Sequence, residues 1–278
     1  MTADQQAVEQ DTTDPIPGAS FDLSVAHPAR MYDYYLGGKD HLPADRAAAE
    51  QVVAASPDVP LVARANRDFM TRAARLLAAE CGIRQYLDVG TGIPTSPNLH
   101  EVVQAVDPTS RIVYTDNDPV VLTHARALLT SSPEGRTAYL DADLRDPALI
   151  LRAAELRDAL DFHRPIALFL VAVLHFLTDD DGAHALVRSL VDALPSGSYL
   201  VVSHATGDLA PRNVGQIVDT YTATAAPLVL RGLGDVCRFF AGTEVLGPGV
   251  VRLPLWKPDE PPTGIDKVWV YGGVGRKP

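Results

Sequence analysis

The sequence predicts an α/β protein whose sheet is mostly parallel and covered on both faces. Three observations carry this. Tyr86–Pro94 reads YLDVGTGIP, an apolar run that breaks into a glycine-rich loop behind the carboxylate of Asp88. A second apolar run, Arg111–Thr115, ends in Asp116. From Gln85 to Ser203, short apolar runs alternate with stretches of helical spacing, as in a parallel sheet whose strands are buried on both sides.

The elements follow in order. Residues 1–20 are polar and acidic and read as a disordered tail. Pro28–Asp40, PARMYDYYLGGKD, reads as a short helix stopped by Gly37-Gly38, and Pro43–Ala54 as an alanine-rich helix interrupted by Pro57 and Pro60. Pro60–Cys81 places Leu61, Ala65, Phe69, Ala73, Leu76 and Leu77 at helical spacing, with Gly82 where a helix would end. Strands are expected at Gln85–Val89, Arg111–Thr115, Thr137–Asp141, Ile166–Val171 and Ser198–Ser203. Helices are expected at Asn98–Val106, Pro119–Leu129, Pro147–Ala159 and Asp179–Leu194. Asp118 suits the N-cap of the second, and the acids at the start of the fourth suit a helix dipole. Beyond Ser203 come a helix at Val214–Val229, short edges at Arg238-Phe-Phe and Val250-Val-Arg-Leu, and a last strand at Val268–Tyr271 before Gly272-Gly273. Strands without intervening helices predict an antiparallel pair closing the sheet. Residues 21–82 then form an N-terminal helical segment, and residues 83–278 the ligand-binding domain, in one structural unit.

Bulk properties narrow the function. Of 278 residues, 46% are hydrophobic, enough for a substantial core. A net charge of −11 disfavours a protein that wraps nucleic acid non-specifically. Cys81 and Cys237 form no CxxC, and no HExxH spacing occurs, so no metal site is expected. The polar N-terminus is not a secretory leader, and the longest apolar stretch, Ile166–Leu174, is too short for a bilayer. A cytoplasmic protein with no membrane partner is the expectation.

The glycine loop bears on the cofactor. A dinucleotide loop wants G-x-G-x-x-G, but Ile93, Pro94 and Thr95 follow Gly92, so the third glycine is missing. Asp88, two residues ahead of Gly90, would repel a pyrophosphate and attract a cationic head group. S-adenosylmethionine (SAM) carries both an ammonium and a sulfonium. Asp116 suits a pair of ribose hydroxyls, and Asp143, in the run Leu140-Asp-Ala-Asp-Leu, suits an adenine amino group, with Leu144 near the ring. Three acids at three successive strand ends form a more specific signal than any one alone. A loop acid that caps a helix is the structural alternative for Asp88.

Tyr86–Gly92, Val113–Pro119 and Asp141–Leu144 resemble class I SAM-dependent methyltransferases. His27–His41, with Asn66–Arg72 and Tyr114–Pro119, is similar to the signature of an actinobacterial SAM-dependent methyltransferase-like family formerly catalogued as a domain of unknown function. The resemblance covers residues 20–278. It implies a Rossmann-like, seven-stranded sheet with a reversed last strand, with SAM as cofactor and S-adenosylhomocysteine (SAH) as product. It makes Gly90, Thr91 and Gly92 the contacts to the methionine part and has Asp88 orient the amino group. Asp116 would hold the ribose, with Asn117, Asp143 and Leu144 at the adenine, and Val171 near the transferable methyl. Val171–His175 departs from the polar or aromatic motif, such as Asn-Pro-Pro-Tyr, that many small-molecule and nucleic-acid methyltransferases carry there, which speaks against amino methylation of a base; a small-molecule oxygen or nitrogen acceptor is the expectation.

His175 follows the fourth strand and is the candidate base; a packed histidine at a helix entry is its alternative. His204 follows the fifth strand at the same rim. In the N-terminal segment, Tyr32 and Tyr35 share a helix face. With Arg30 and Lys39 they suggest a lid hinged at Gly37-Gly38 over cofactor and substrate. Arg67 suits a ligand carboxylate. A SAM-binding sensor without turnover and an NAD-dependent oxidoreductase are the competing readings.

Overall fold

A computed structural model describes residues 22–278; the expected tail at residues 1–20 lies outside them. Three helices open the described chain: α1 (Pro28–Leu36), α2 (Pro43–Ala55) and α3 (Val59–Ala79). Each has proline in its first turn, where a missing N–H costs no hydrogen bond. The alternating unit then runs β1 (Gln85–Val89), α4 (Leu99–Val106), β2 (Arg111–Asp116), α5 (Pro119–Leu128), β3 (Arg136–Asp141), α6 (Pro147–Arg152), α7 (Ala154–Ala159), β4 (Ala167–Val171), α8 (Ala183–Ala193) and β5 (Tyr199–Ala205). The chain ends with α9 (Val214–Thr222), α10 (Leu233–Arg238), β6 (Glu244–Val245), β7 (Val251–Arg252) and β8 (Val270–Arg276).

The sheet order is β3-β2-β1-β4-β5-β8-β6, with β7 also on β8. β1 to β5 are parallel, and β8 is antiparallel to β5. β6 and β7 pair with the same edge of β8, Glu244 opposite Arg276 and Val251 opposite Gly272. They are two pieces of one interrupted edge strand, which is why eight strands fill seven positions.

Strand alternation divides the core. Tyr86, Ile112, Tyr114, Phe169 and Val201 face α1–α4, while Leu87, Val113, Leu168, Leu170 and Val202 face α6–α8. The N-terminal helices are therefore a covering layer of one sheet face, continuous with its core.

Five local expectations give way to tertiary partners. The helix expected at Pro147–Ala159 breaks at Ala153 (ψ 135°), and the Arg157 side chain donates to the freed Leu151 carbonyl. The helix expected from Asp179 begins only at Ala183, beyond a turn at Gly182. Its acids are drawn to side chains instead, Asp181 to Thr178 and Arg145, Asp179 to Arg231. α9 ends at Thr222, where Thr224 donates to the Tyr221 carbonyl, and the following segment runs across the rim. Arg238-Phe-Phe closes α10 rather than forming a strand, with both phenylalanines buried. Gly272 and Gly273 lie inside β8, because a side chain there would overlap Leu253 or crowd Val250 and Phe240.

Candidate active site

The C-terminal ends of the parallel strands open into a cavity of about 220 Å³. It sits where the strand order reverses, between β1 and β4. The loop after β1 is drawn tight: Gly90 N–H donates to the Thr115 carbonyl at 2.8 Å, and Gly90 has φ 78°. A Cβ at Gly90 would overlap Val173, so glycine is required twice over.

The three acids differ in what already satisfies them. Each Asp116 oxygen accepts one backbone N–H, from Gly92 at 2.9 Å and from Asp118 at 3.0 Å. A carboxylate offers about four acceptor sites, so each oxygen keeps one free. Two free, adjacent acceptors fit a vicinal diol. The Asp88 carboxylate accepts no hydrogen bond among the described residues, although Asp88 lines the cavity and its backbone carbonyl accepts from Thr91 Oγ1. Burial raises its pKa to about 7, with Arg67 opposing and Asp116 reinforcing the shift. Burial likewise raises Asp116 to about 6, against the pull of its two backbone donors. Asp143 is the most occupied: it accepts from Asn117 at 2.8 Å, from the Arg145 backbone at 2.7 Å and from its guanidinium at 3.0 Å. One acceptor site remains. Leu144 is buried beside it on the cavity wall.

Arg67 reaches the loop from α3 and donates through Nη2 to the carbonyls of Thr95 (2.6 Å) and Pro97. Its Nε and Nη1 make no hydrogen bond among the described residues, so it both anchors the loop and keeps donors for a ligand carboxylate. Gly90, Thr91, Gly92, Asn117 and Val171 all line the cavity, as does Ala172, held at φ 56°. This strained residue is fixed by a relay. Ala172 N–H donates to Ser203 Oγ (2.9 Å), which donates to Asn66 Oδ1 (2.6 Å); Asn66 Nδ2 donates to Tyr32 (2.9 Å), whose hydroxyl donates to the Ala63 carbonyl (2.9 Å).

The structure sorts the remaining candidates. Tyr32, Tyr35, Arg67 and His175 line the cavity; Arg30, Lys39 and His204 do not. Lys39 is exposed beyond the end of α1. Arg30 is buried, bonding Asp45 and Asp118 at 2.9 Å each, and so ties α1 to α2 and to the N-cap of α5. His204 is fully buried behind the rim, donating to its neighbour's carbonyl and accepting from Arg231 at 3.1 Å; burial lowers its pKa to about 4. The Gly37-Gly38 turn, expected as a hinge, is held by side-chain contacts. The Asp33 carboxylate occupies the space a Gly38 side chain would need, and it also accepts from Asp40 N–H (3.0 Å) and His41 (2.9 Å), which locks the turn.

His175 accepts the Ala205 N–H at Nδ1 (3.3 Å), and burial with the nearby His204 and Arg231 holds its pKa well below the usual value. Its ring is neutral, and the hydrogen-bond pattern puts its proton on Nε2. It faces a ligand as a donor; acting as a base would require that bond to break.

Sequence reasoning missed Tyr221, Phe176 and Trp269, which also line the cavity. Helical spacing in α9 could have marked Tyr221 as inward-facing; nothing local marks Trp269. Among the described residues, no group of three His, Cys, Asp or Glu could hold a metal, and no helix is long and apolar enough to cross a membrane.

Residues 15–278 match the family described as S-adenosyl methyltransferase. A DUF574 family protein from Streptomyces avermitilis MA-4680 is 51% identical, with a TM-score of 0.89 over 92% of this chain and 99% of that one. A putative methyltransferase from Thermobifida fusca YX is 38% identical, with a TM-score of 0.85 over 96% and 99%. An O-methyltransferase family protein from Burkholderia thailandensis shares the fold at 14% identity, with a TM-score of 0.53 over 88% of this chain and 63% of that one. No match was found among curated proteins.

Proposed function

This chain belongs to the S-adenosyl methyltransferase family, and from that premise we propose that it moves the methyl group of SAM to an oxygen or nitrogen of a small molecule. Family membership makes SAM the cofactor and overturns the NAD-dependent alternative. One observation carries the site assignment: Asp88, a cavity-lining carboxylate without a hydrogen-bond donor, stands beside Asp116, which has two acceptor sites to spare.

In this reading Asp88 takes the ammonium, Arg67 the carboxylate and the Gly90–Gly92 backbone the methionine chain. Asp116 takes the ribose hydroxyls. Asn117, Asp143 and Leu144 meet the adenine, and Val171 and Ala172 border the transferable methyl. The bound cofactor supplies a methyl group activated by its sulfonium charge. The protein's share is positioning and exclusion of water, worth as much as 7–11 kcal/mol in a well-aligned displacement, by the order of magnitude of intramolecular reactions. The relay from Tyr32 to Ala172 holds the rim of β4 in place for this. α1, with Tyr32 and Tyr35, is the lid of the proposal, acting as a packed cover because its end is locked. His175 supplies a neutral N–H to orient the acceptor.

Calorimetric titration with SAM, SAH and NAD tests the assignment. SAM and SAH should bind the wild type, and Asp88→Asn should lose affinity for both, since both carry the ammonium. Equal affinity in a folded variant would place the ammonium elsewhere.

A further inference from the structure

We propose that the half of the cavity remote from Asp116 is an acceptor chamber for an uncharged, flat aromatic compound bearing a phenolic hydroxyl; this rests on the methyl-transfer reading above. The sheet divides the cavity in two. β3, β2 and β1 present the three acids, while β4, β5 and β8 present Val171, Ala205 and Val270. From β1 to β8 is three strand spacings, roughly 14 Å, so the second half extends past the nucleoside contacts.

Its walls are apolar and aromatic: Tyr35 of α1, Met70 of α3, Phe176 after β4, Ile217 and Tyr221 of α9, and Trp269 before β8. Every charged lysine, arginine, aspartate or glutamate lining the cavity (Arg67, Asp88, Asp116, Asp143, Arg145) belongs to the cofactor half. A charged acceptor would give up its hydration here without gaining a counter-charge. A flat ring would meet ring edges and faces.

The polar groups narrow the choice. The Tyr35 and Tyr221 hydroxyls bond each other at 3.1 Å, and burial keeps both phenols neutral. Trp269 lines the chamber, while its indole N–H is buried without a partner among the described residues. In the transfer, an oxygen lone pair forms the new C–O bond as the methyl–sulfur bond breaks. The electron pair of that bond stays on sulfur, leaving a neutral thioether, and the hydroxyl proton is released to bulk solvent. His175 has its Nδ1 engaged and offers no free basic nitrogen. A phenol gives up its proton far more readily than an alkyl alcohol, and the positive charge of the bound cofactor would favour that loss, so a chamber without a free base suits a phenolic hydroxyl and not an alkyl one.

The test loads the protein with SAH and titrates 1-naphthol, naphthalene-1-carboxylate and glycerol by calorimetry. 1-Naphthol should bind saturably, the carboxylate about tenfold or more weakly, and glycerol not at all. Trp269→Leu should weaken 1-naphthol about tenfold while SAH affinity is kept. Ile217→Phe, which narrows the chamber from α9, should do the same and serves if the first variant fails to fold. The chamber assignment is overturned if SAH binds but 1-naphthol does not, if the carboxylate binds equally well, or if the folded variants bind 1-naphthol unchanged. Failure of SAH to bind overturns the cofactor reading itself, a separate result.

Discussion

Asp88 illustrates a residue kept at a cost to stability. Its pKa is raised to about 7 in the ligand-free protein, against an ordinary value of 3.8. Between these two values the folded state holds a proton that the unfolded chain has released, so this group's contribution to stability is lost as pH rises through the window. Relative to wild type, Asp88→Asn should gain stability progressively from about pH 4 to 7 and level off above, read by urea titration at several pH values. The same linkage makes SAM affinity of the wild type rise with pH up to about 7 and then plateau, because the ammonium selects the carboxylate. A flat binding profile between pH 5.5 and 8, measured by calorimetry (roughly the window the shift defines), would exclude Asp88 as the ammonium partner. On the proposed assignment, Asp116→Ala removes two charge-assisted hydrogen bonds to the ribose, each about 1.5–3 kcal/mol, together with one anchor of the glycine loop, at Gly92, and one of the turn at Asp118. SAH affinity should fall by at least one such increment, with folding intact by circular dichroism.

At the scale of elements, α1 is held by a buried ion triad and a pair of phenols. Arg30 lies between Asp45 and Asp118, all three buried. Arg30→Met would strand two buried carboxylates and should destabilise the protein by about 3–5 kcal/mol in urea unfolding. Arg30→Lys should rescue little, since one ammonium cannot reproduce a fork that also reaches the Val25 carbonyl. The lid reading predicts that Tyr35→Phe, which breaks the Tyr35–Tyr221 bond, speeds amide exchange in α1 more than in β1 or β4. Uniform exchange rates in that variant would show that α1 moves only with global unfolding.

Over the whole molecule, the acids and glycines that line one half of the cavity were legible because their signals are local. An apolar strand, a glycine turn and an acid within nine residues specify both a conformation and a charge. Asp88, Asp116 and Asp143 fall at or just past the C-terminal ends of three neighbouring parallel strands, so parallel pairing brings them to one rim. The corrections have the opposite character. His204 and Lys39 had suitable chemistry next to suitable elements, but Arg231 claims the first, from 27 residues away, and solvent the second.

From the residues alone one reads the placing of acids and glycines at strand ends and a resemblance to the family, because strand periodicity, turn stereochemistry and charge act over a few residues. Which aromatics line the far half of the cavity depends on packing instead. Tyr35 and Tyr221 meet across 186 residues, and Trp269 reaches the rim from the end of the chain. Contacts of that range depend on how α1, α9 and the reversed strand pack over the sheet, and no short stretch of side chains encodes that packing.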